Sequence, residues 1–99
     1  MSKSRKVVSR DVVAKRVRRV LRAMTNSQAV IEESHKLEAD LGMNSFVRRA
    51  MYRPYSLISC EYGGTPVLQK EAESAEIVKE AIDLVYKHAN APTGNRGTK

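Results

Sequence analysis

At 99 residues the chain makes one small domain, with room for a modest core but too small to enclose a catalytic site of its own. A carrier or binding module, rather than an enzyme, is the natural class for this size. Hydrophobic residues make up 41% of the chain without an apolar run near the length of a membrane span, and the charged N-terminus lacks the apolar stretch of a signal peptide, so a cytoplasmic protein is expected. The net charge of +7 excludes nothing but is unevenly placed: residues 1–24 hold nine Lys/Arg against one acid, which keeps a nucleic-acid role in play.

Residues 1–9 are small, polar and basic, with Lys3, Arg5 and Lys6, and are expected to form a flexible tail. A helical domain over 10–89 follows. In its first helix Val13, Val17, Val20, Leu21 and Met24 recur at three- and four-residue steps, Ser9 supplies the N-cap, and Asp11 complements the dipole in the first turn. Thr25, Asn26 and Ser27 end that helix. The connection beyond them is long, anchored by Val30 and Ile31 and pinned at its end by Leu37 and Leu41.

A second helix is expected to start at Asn44 or Ser45, with Phe46, Val47, Ala50 and Met51 on its apolar side and Arg48, Arg49 and Arg53 turned to solvent. Pro54 lacks a backbone donor and pushes Arg53 away from helical dihedrals, so this helix must kink or stop near Tyr52. Leu57, Ile58, Cys60 and Tyr62 fit either a further helical piece or an extended segment. Cys60, the single cysteine, has no disulfide partner, has no metal-ligand spacing to His35 or His88, and is expected as a small buried hydrophobe.

Gly63, Gly64, Thr65 and Pro66 make a turn. Ser74 is expected to cap the last helix, whose buried stripe is Ile77, Val78, Ala81, Ile82 and Val85. Residues 90–99 are expected to be a flexible polar tail. The fold class is all-α.

The chemistry concentrates between the first two helices. Asp40, Leu41, Gly42, Met43, Asn44, Ser45 and Phe46 resemble the hallmark of the acyl carrier proteins: Asp-Leu-Gly, a variable residue, then Asp-Ser-Leu, with Asn44 and Phe46 departing from the pattern. Glu71, Ala72 and Glu73, then Val78, Ala81, Ile82, Asp83, His88 and Ala89, look like the last helix of that family at matching internal spacing.

The resemblance implies a small four-helix bundle of three longer helices and one short one, the short one at Val67, Leu68 and Ala72, working as a monomer. It further implies a 4'-phosphopantetheine arm on Ser45 that carries an acyl group as a thioester, in fatty-acid, lipid or related biosynthesis. Partner recognition would fall on Asn44, Val47, Arg48, Arg49, Met51 and Arg53, and the acyl chain would be lined by Phe46, Ala50, Leu57, Ile58, Ile77 and Ile82. The partners implied are a phosphopantetheinyl transferase and acyl-transferring enzymes. In the family this surface is acidic, so the arginines here imply partners with acidic docking surfaces.

Two alternatives stand beside this reading. Ala39, Asp40, Leu41 and Gly42 followed by Val47, Arg48, Arg49, Ala50 and Met51 also look like a helix-turn-helix offering Arg48 and Arg49 to DNA, although Pro54 limits the second helix to about two turns. The other alternative is a carrier-fold adaptor without the arm.

Overall fold

The structure is a computed structural model that describes residues 8–26 and 30–91. It is all-α among these residues, with five helical segments in the order α1 (Arg10–Thr25), α2 (Ser45–Ala50), α3 (Tyr52–Glu61), α4 (Gln69–Ser74) and α5 (Val78–Ala89). α1 packs on α5 and more lightly on α3, α3 packs on α5, and α2 lies mainly against α4.

The apolar spacing of α1 buries Val13, Ala14, Val17 and Leu21, whereas Met24, expected in the same stripe, is exposed. Ser9 caps the helix by accepting the Val12 N–H, and Asn26 closes it in the left-handed region at φ 54°. The expected tails shorten where the domain begins and ends. Val8 is buried, its N–H donates to Asn90 Oδ1 at 3.0 Å, and the Asn90 amide donates back to the Val8 carbonyl at 3.3 Å. Both residues therefore belong to the folded domain. The other residues expected in the tails, 1–7 and 92–99, lie outside the described residues apart from exposed Ser9 and half-buried Ala91.

α2 and α3 form one bent unit. Pro54 has no N–H to give to the carbonyl four residues back, so α2 ends at Ala50 and α3 restarts with Pro54 in its first turn, where a missing donor is tolerated. The ambiguous segment from Leu57 to Tyr62 continues as helix to Glu61. Its end is a Schellman motif: Gly63 takes φ +83°, its N–H donates to the Cys60 carbonyl, and the Gly64 N–H reaches the Ser59 carbonyl. Cys60 is exposed rather than buried, because the inward face of α3 is taken by Tyr55, Ile58 and Ser59.

Ser74 ends α4 instead of capping α5. The cap of α5 comes from the connection after α1, where the Val78 and Lys79 N–H groups donate at 2.9 Å to the carbonyls of His35 and Glu33. Two of the orphan donors of the helix start are thereby satisfied by backbone. Lys36 and Ile77 form an antiparallel bridge, and the Leu37 N–H donates to the Glu76 carbonyl. This seam fixes the long connection, whose Ile31, Leu37 and Met43 side chains enter the core, while Val30 stays outside it.

Candidate functional site

The residues leading to Ser45 form a closed turn. Asp40 Oδ2 accepts the Lys36 N–H at 2.7 Å while the Asp40 N–H donates to the Lys36 carbonyl at 3.0 Å, so the carboxylate caps its own turn. Gly42 takes φ +74°, its N–H reaching the Glu38 carbonyl, and this reversal lets the Met43 N–H donate to the Leu37 carbonyl at 2.8 Å. Leu37 and Met43 are buried beneath the turn, and Leu41 packs against the core from its edge.

Asn44 then caps α2: its Oδ1 accepts the Val47 N–H at 3.0 Å and its carbonyl accepts the Arg48 N–H at 2.8 Å. Ser45 is therefore the first residue of α2, exposed, with a hydroxyl that hydrogen-bonds to no other described residue. The arrangement leaves a primary hydroxyl open to solvent next to helix N–H groups that have no intrahelical partner.

The arginines of α2 do not form the solvent-facing set expected of them. The Arg48 side chain is 14% exposed. Its Nη1 donates to the Met43 carbonyl at 3.1 Å and to Glu38 Oε1 at 2.8 Å, and its Nε donates to the Glu73 carbonyl at 3.1 Å. The planar fork thus joins the turn before Ser45, α2 and the end of α4. Arg49 is exposed but pairs with Glu73 through Nε at 3.2 Å. Arg53 is exposed.

The other residues expected to recognise partners divide the same way. Asn44 is exposed, Val47 is half-buried, and Met51 is 0% exposed, because the bend at the α2–α3 junction drives it into the core. The six candidate acyl-lining residues do not share one surface either. Phe46 is 76% exposed and Leu57 73%, Ala50 also faces solvent, and Ile58 and Ile82 are fully packed in the core. Ile77 is half-buried and lines a depression with Lys36, Glu38, Ala39, Arg48 and Glu76, whereas Leu57 lines a different one with Tyr52, Arg53, Ser56, Pro66 and Val67.

Two polar networks escaped the sequence reading. His88 Nε2 lies 2.8 Å from Glu71 Oε1 and its Nδ1 lies 2.7 Å from Thr65 Oγ1, so an Nε2-protonated ring donates to the carboxylate and accepts from the threonine. Burial pushes the Glu71 carboxyl up, but the Leu68 N–H and His88 outweigh it and hold the group below its ordinary value. Neighbouring backbone donors leave no oxyanion site beside Thr65, since its own N–H goes to the His88 carbonyl and that of Gly64 to Ser59.

The second network is a bidentate pair from Arg10 to Glu33 at 2.9 and 3.0 Å, with a further bond to Asp83 at 2.7 Å. The Arg10 hydrogen bonds hold the Glu33 carboxyl below its usual range. Partners 23 and 73 residues away give no local pattern by which the sequence would reveal this network.

No helix among the described residues is long and apolar enough to cross a membrane. Searches against family profiles, curated proteins and solved structures returned no match for the chain.

Proposed function

We propose that the chain is an acyl-carrier-type module, a cytoplasmic monomer whose Ser45 hydroxyl receives a 4'-phosphopantetheine arm from a separate transferase. The observation that carries this reading is the exposed, uncommitted Ser45 hydroxyl at the first position of α2, held behind a turn closed by Asp40 and Gly42. The element order supports it: a long first helix, a long connection, a serine-led bent helix, a short helix and a final long one. When attached, the arm supplies a thiol that holds an acyl group as a thioester.

The chain's own part is positional. Asn44 fixes the start of α2 and the Arg48 fork fixes the turn before it, and a phosphodiester anion on Ser45 would lie at the positive end of the helix dipole. Asn44 replaces the family's carboxylate with a neutral amide that caps equally well. A transferase or its metal ion therefore meets less negative charge beside this serine.

The test is labelling with a fluorescent coenzyme A and a promiscuous phosphopantetheinyl transferase. Label is expected on the wild type, none on Ser45→Ala, and faster labelling on Asn44→Asp. Failure of both the wild type and Asn44→Asp under conditions that label a control carrier would reject the arm.

The adaptor reading without an arm stands second, favoured by one observation: Phe46, Ala50 and Leu57 are exposed while Ile58 and Ile82 are already packed, so the named residues offer no common shelter for an acyl chain. A helix-turn-helix has less behind it. Residues 37–41 make only one turn where a first helix is required, and Arg48 is engaged within the chain.

A further inference from the structure

The outer face of α1 carries a concentration of charge that the carrier reading does not use. Six of its sixteen residues are basic, and two of these are committed: Arg10 to Glu33 and Asp83, and Arg16 to Glu61 and the Tyr62 hydroxyl. The other four, Lys15, Arg18, Arg19 and Arg22, form no ion pair with a described carboxylate. At 3.6 residues per turn they fall within an arc of about 100° turned away from the buried Val13, Val17 and Leu21. The four line one open depression of about 430 Å³ together with Val30 and Ile31.

We infer that this strip binds the phosphate backbone of double-stranded nucleic acid, independently of base sequence. From Lys15 to Arg22 the helix rises about 10.5 Å, close to the length of duplex axis over which one strand places four phosphates, so a helix lying along the duplex sets its four cations against a short run of backbone charge. Three of the four are arginines, whose planar fork pairs with phosphate oxygens in two-point contact. α1 contains no aromatic side chain on which an unpaired base would stack, which favours a duplex over a single strand. Of the residues lining the depression Val30 is the one exposed aliphatic, an arrangement that offers little to a lipid surface. The four side chains suit phosphate contacts, which position a protein on the duplex without specifying sequence.

The inference is independent of the arm on Ser45. Its test is a fluorescence-anisotropy titration of the full chain with a mixed-sequence duplex over a series of salt concentrations. Each phosphate neutralised contributes about −0.9 to the slope of log affinity against log salt. Each of Lys15→Gln, Arg18→Gln, Arg19→Gln and Arg22→Gln is therefore expected to weaken binding at low salt and to reduce the slope by about 0.9, while Lys70→Gln, exposed on α4, changes neither.

Lys15, Arg19 and Arg22 are exposed and Arg18 is half-buried, and unchanged helical circular dichroism of each variant shows that folding is not the cause. Absence of duplex binding at low salt would overturn the inference, as would a slope indifferent to the four substitutions or tighter binding to single strands. Substitution-sensitive binding to phosphatidylserine vesicles in place of duplex would also overturn it.

Discussion

Arg48 gives the sharpest energetic prediction, because its expected role and its observed one differ in size. A solvated arginine on a helix face contributes within about 0.5 kcal/mol, and its removal is hardly felt. The observed side chain instead serves two backbone carbonyls, those of Met43 and Glu73, and pairs with Glu38, whose own side chain is 65% exposed. That pair is worth less than about 1 kcal/mol because solvent screens it. Each carbonyl loses a charged donor worth about 1 kcal/mol net, and the largely covered side chain adds packing.

Arg48→Ala is therefore expected to cost about 2–3 kcal/mol, which at a urea dependence of about 1 kcal/mol per molar lowers the unfolding midpoint by about 2–3 M. Arg48→Lys keeps the charge but presents a single nitrogen to three acceptors, and should recover less than half of the loss. Equilibrium urea unfolding followed by circular dichroism reads all three proteins, with Arg53→Ala as the control. An Arg48→Ala midpoint close to that of Arg53→Ala would refute the clamp.

Two glycines should separate backbone preference from crowding. Gly42→Ala meets no atom near its new methyl group and should cost about 1 kcal/mol from its positive φ alone. Gly64→Ala would drive a methyl group into the His88 carbonyl and the Ala89 backbone, costing about 3 kcal/mol or more; thermal unfolding of the two variants ranks them.

Acid should act through Glu33 and Glu71, whose folded carboxyls lie below their ordinary values and so bind protons less readily than in the unfolded chain. Their contribution is complete above the unfolded carboxyl pKa of about 4.3 and fades as pH falls through the depressed folded values. Removing the principal cause at Glu33 with Arg10→Gln should therefore shrink the fall in urea midpoint between about pH 6 and about pH 3.5. An unchanged fall would show that the Arg10 fork is not what depresses it.

The helices were legible wherever a local rule decided them. Val13, Val17 and Leu21 repeat at helical steps, Ser9 and Asn44 sit where caps belong, and Pro54 removes a donor whose loss had to interrupt a helix. What the sequence hid depends on distant partners. Met51, on the apolar side of its helix by spacing, is also expected to meet partners until the bend turns it fully inward, and the solvent-facing side of α3 claims Cys60 because Tyr55 and Ile58 occupy the other.

The cap of α5 could not be read from Ser74, since the acceptors come from carbonyls about forty residues earlier that carry no side-chain signature. At the candidate site the local part was visible, with Gly42, Asn44 and Ser45 in the order a turn and helix start require. The long-range part, Arg48 reaching Glu73, was not.

The most direct test of Ser45 as an attachment point is the intact mass of the protein after co-expression with a promiscuous phosphopantetheinyl transferase, with fragmentation to locate any added group. The expected result is a gain of one phosphopantetheine on Ser45, absent from Ser45→Ala, whose helical content stays unchanged because an exposed hydroxyl at this position costs little to remove. An unmodified wild type beside a fully modified control carrier, or a group found on another residue, would contradict it.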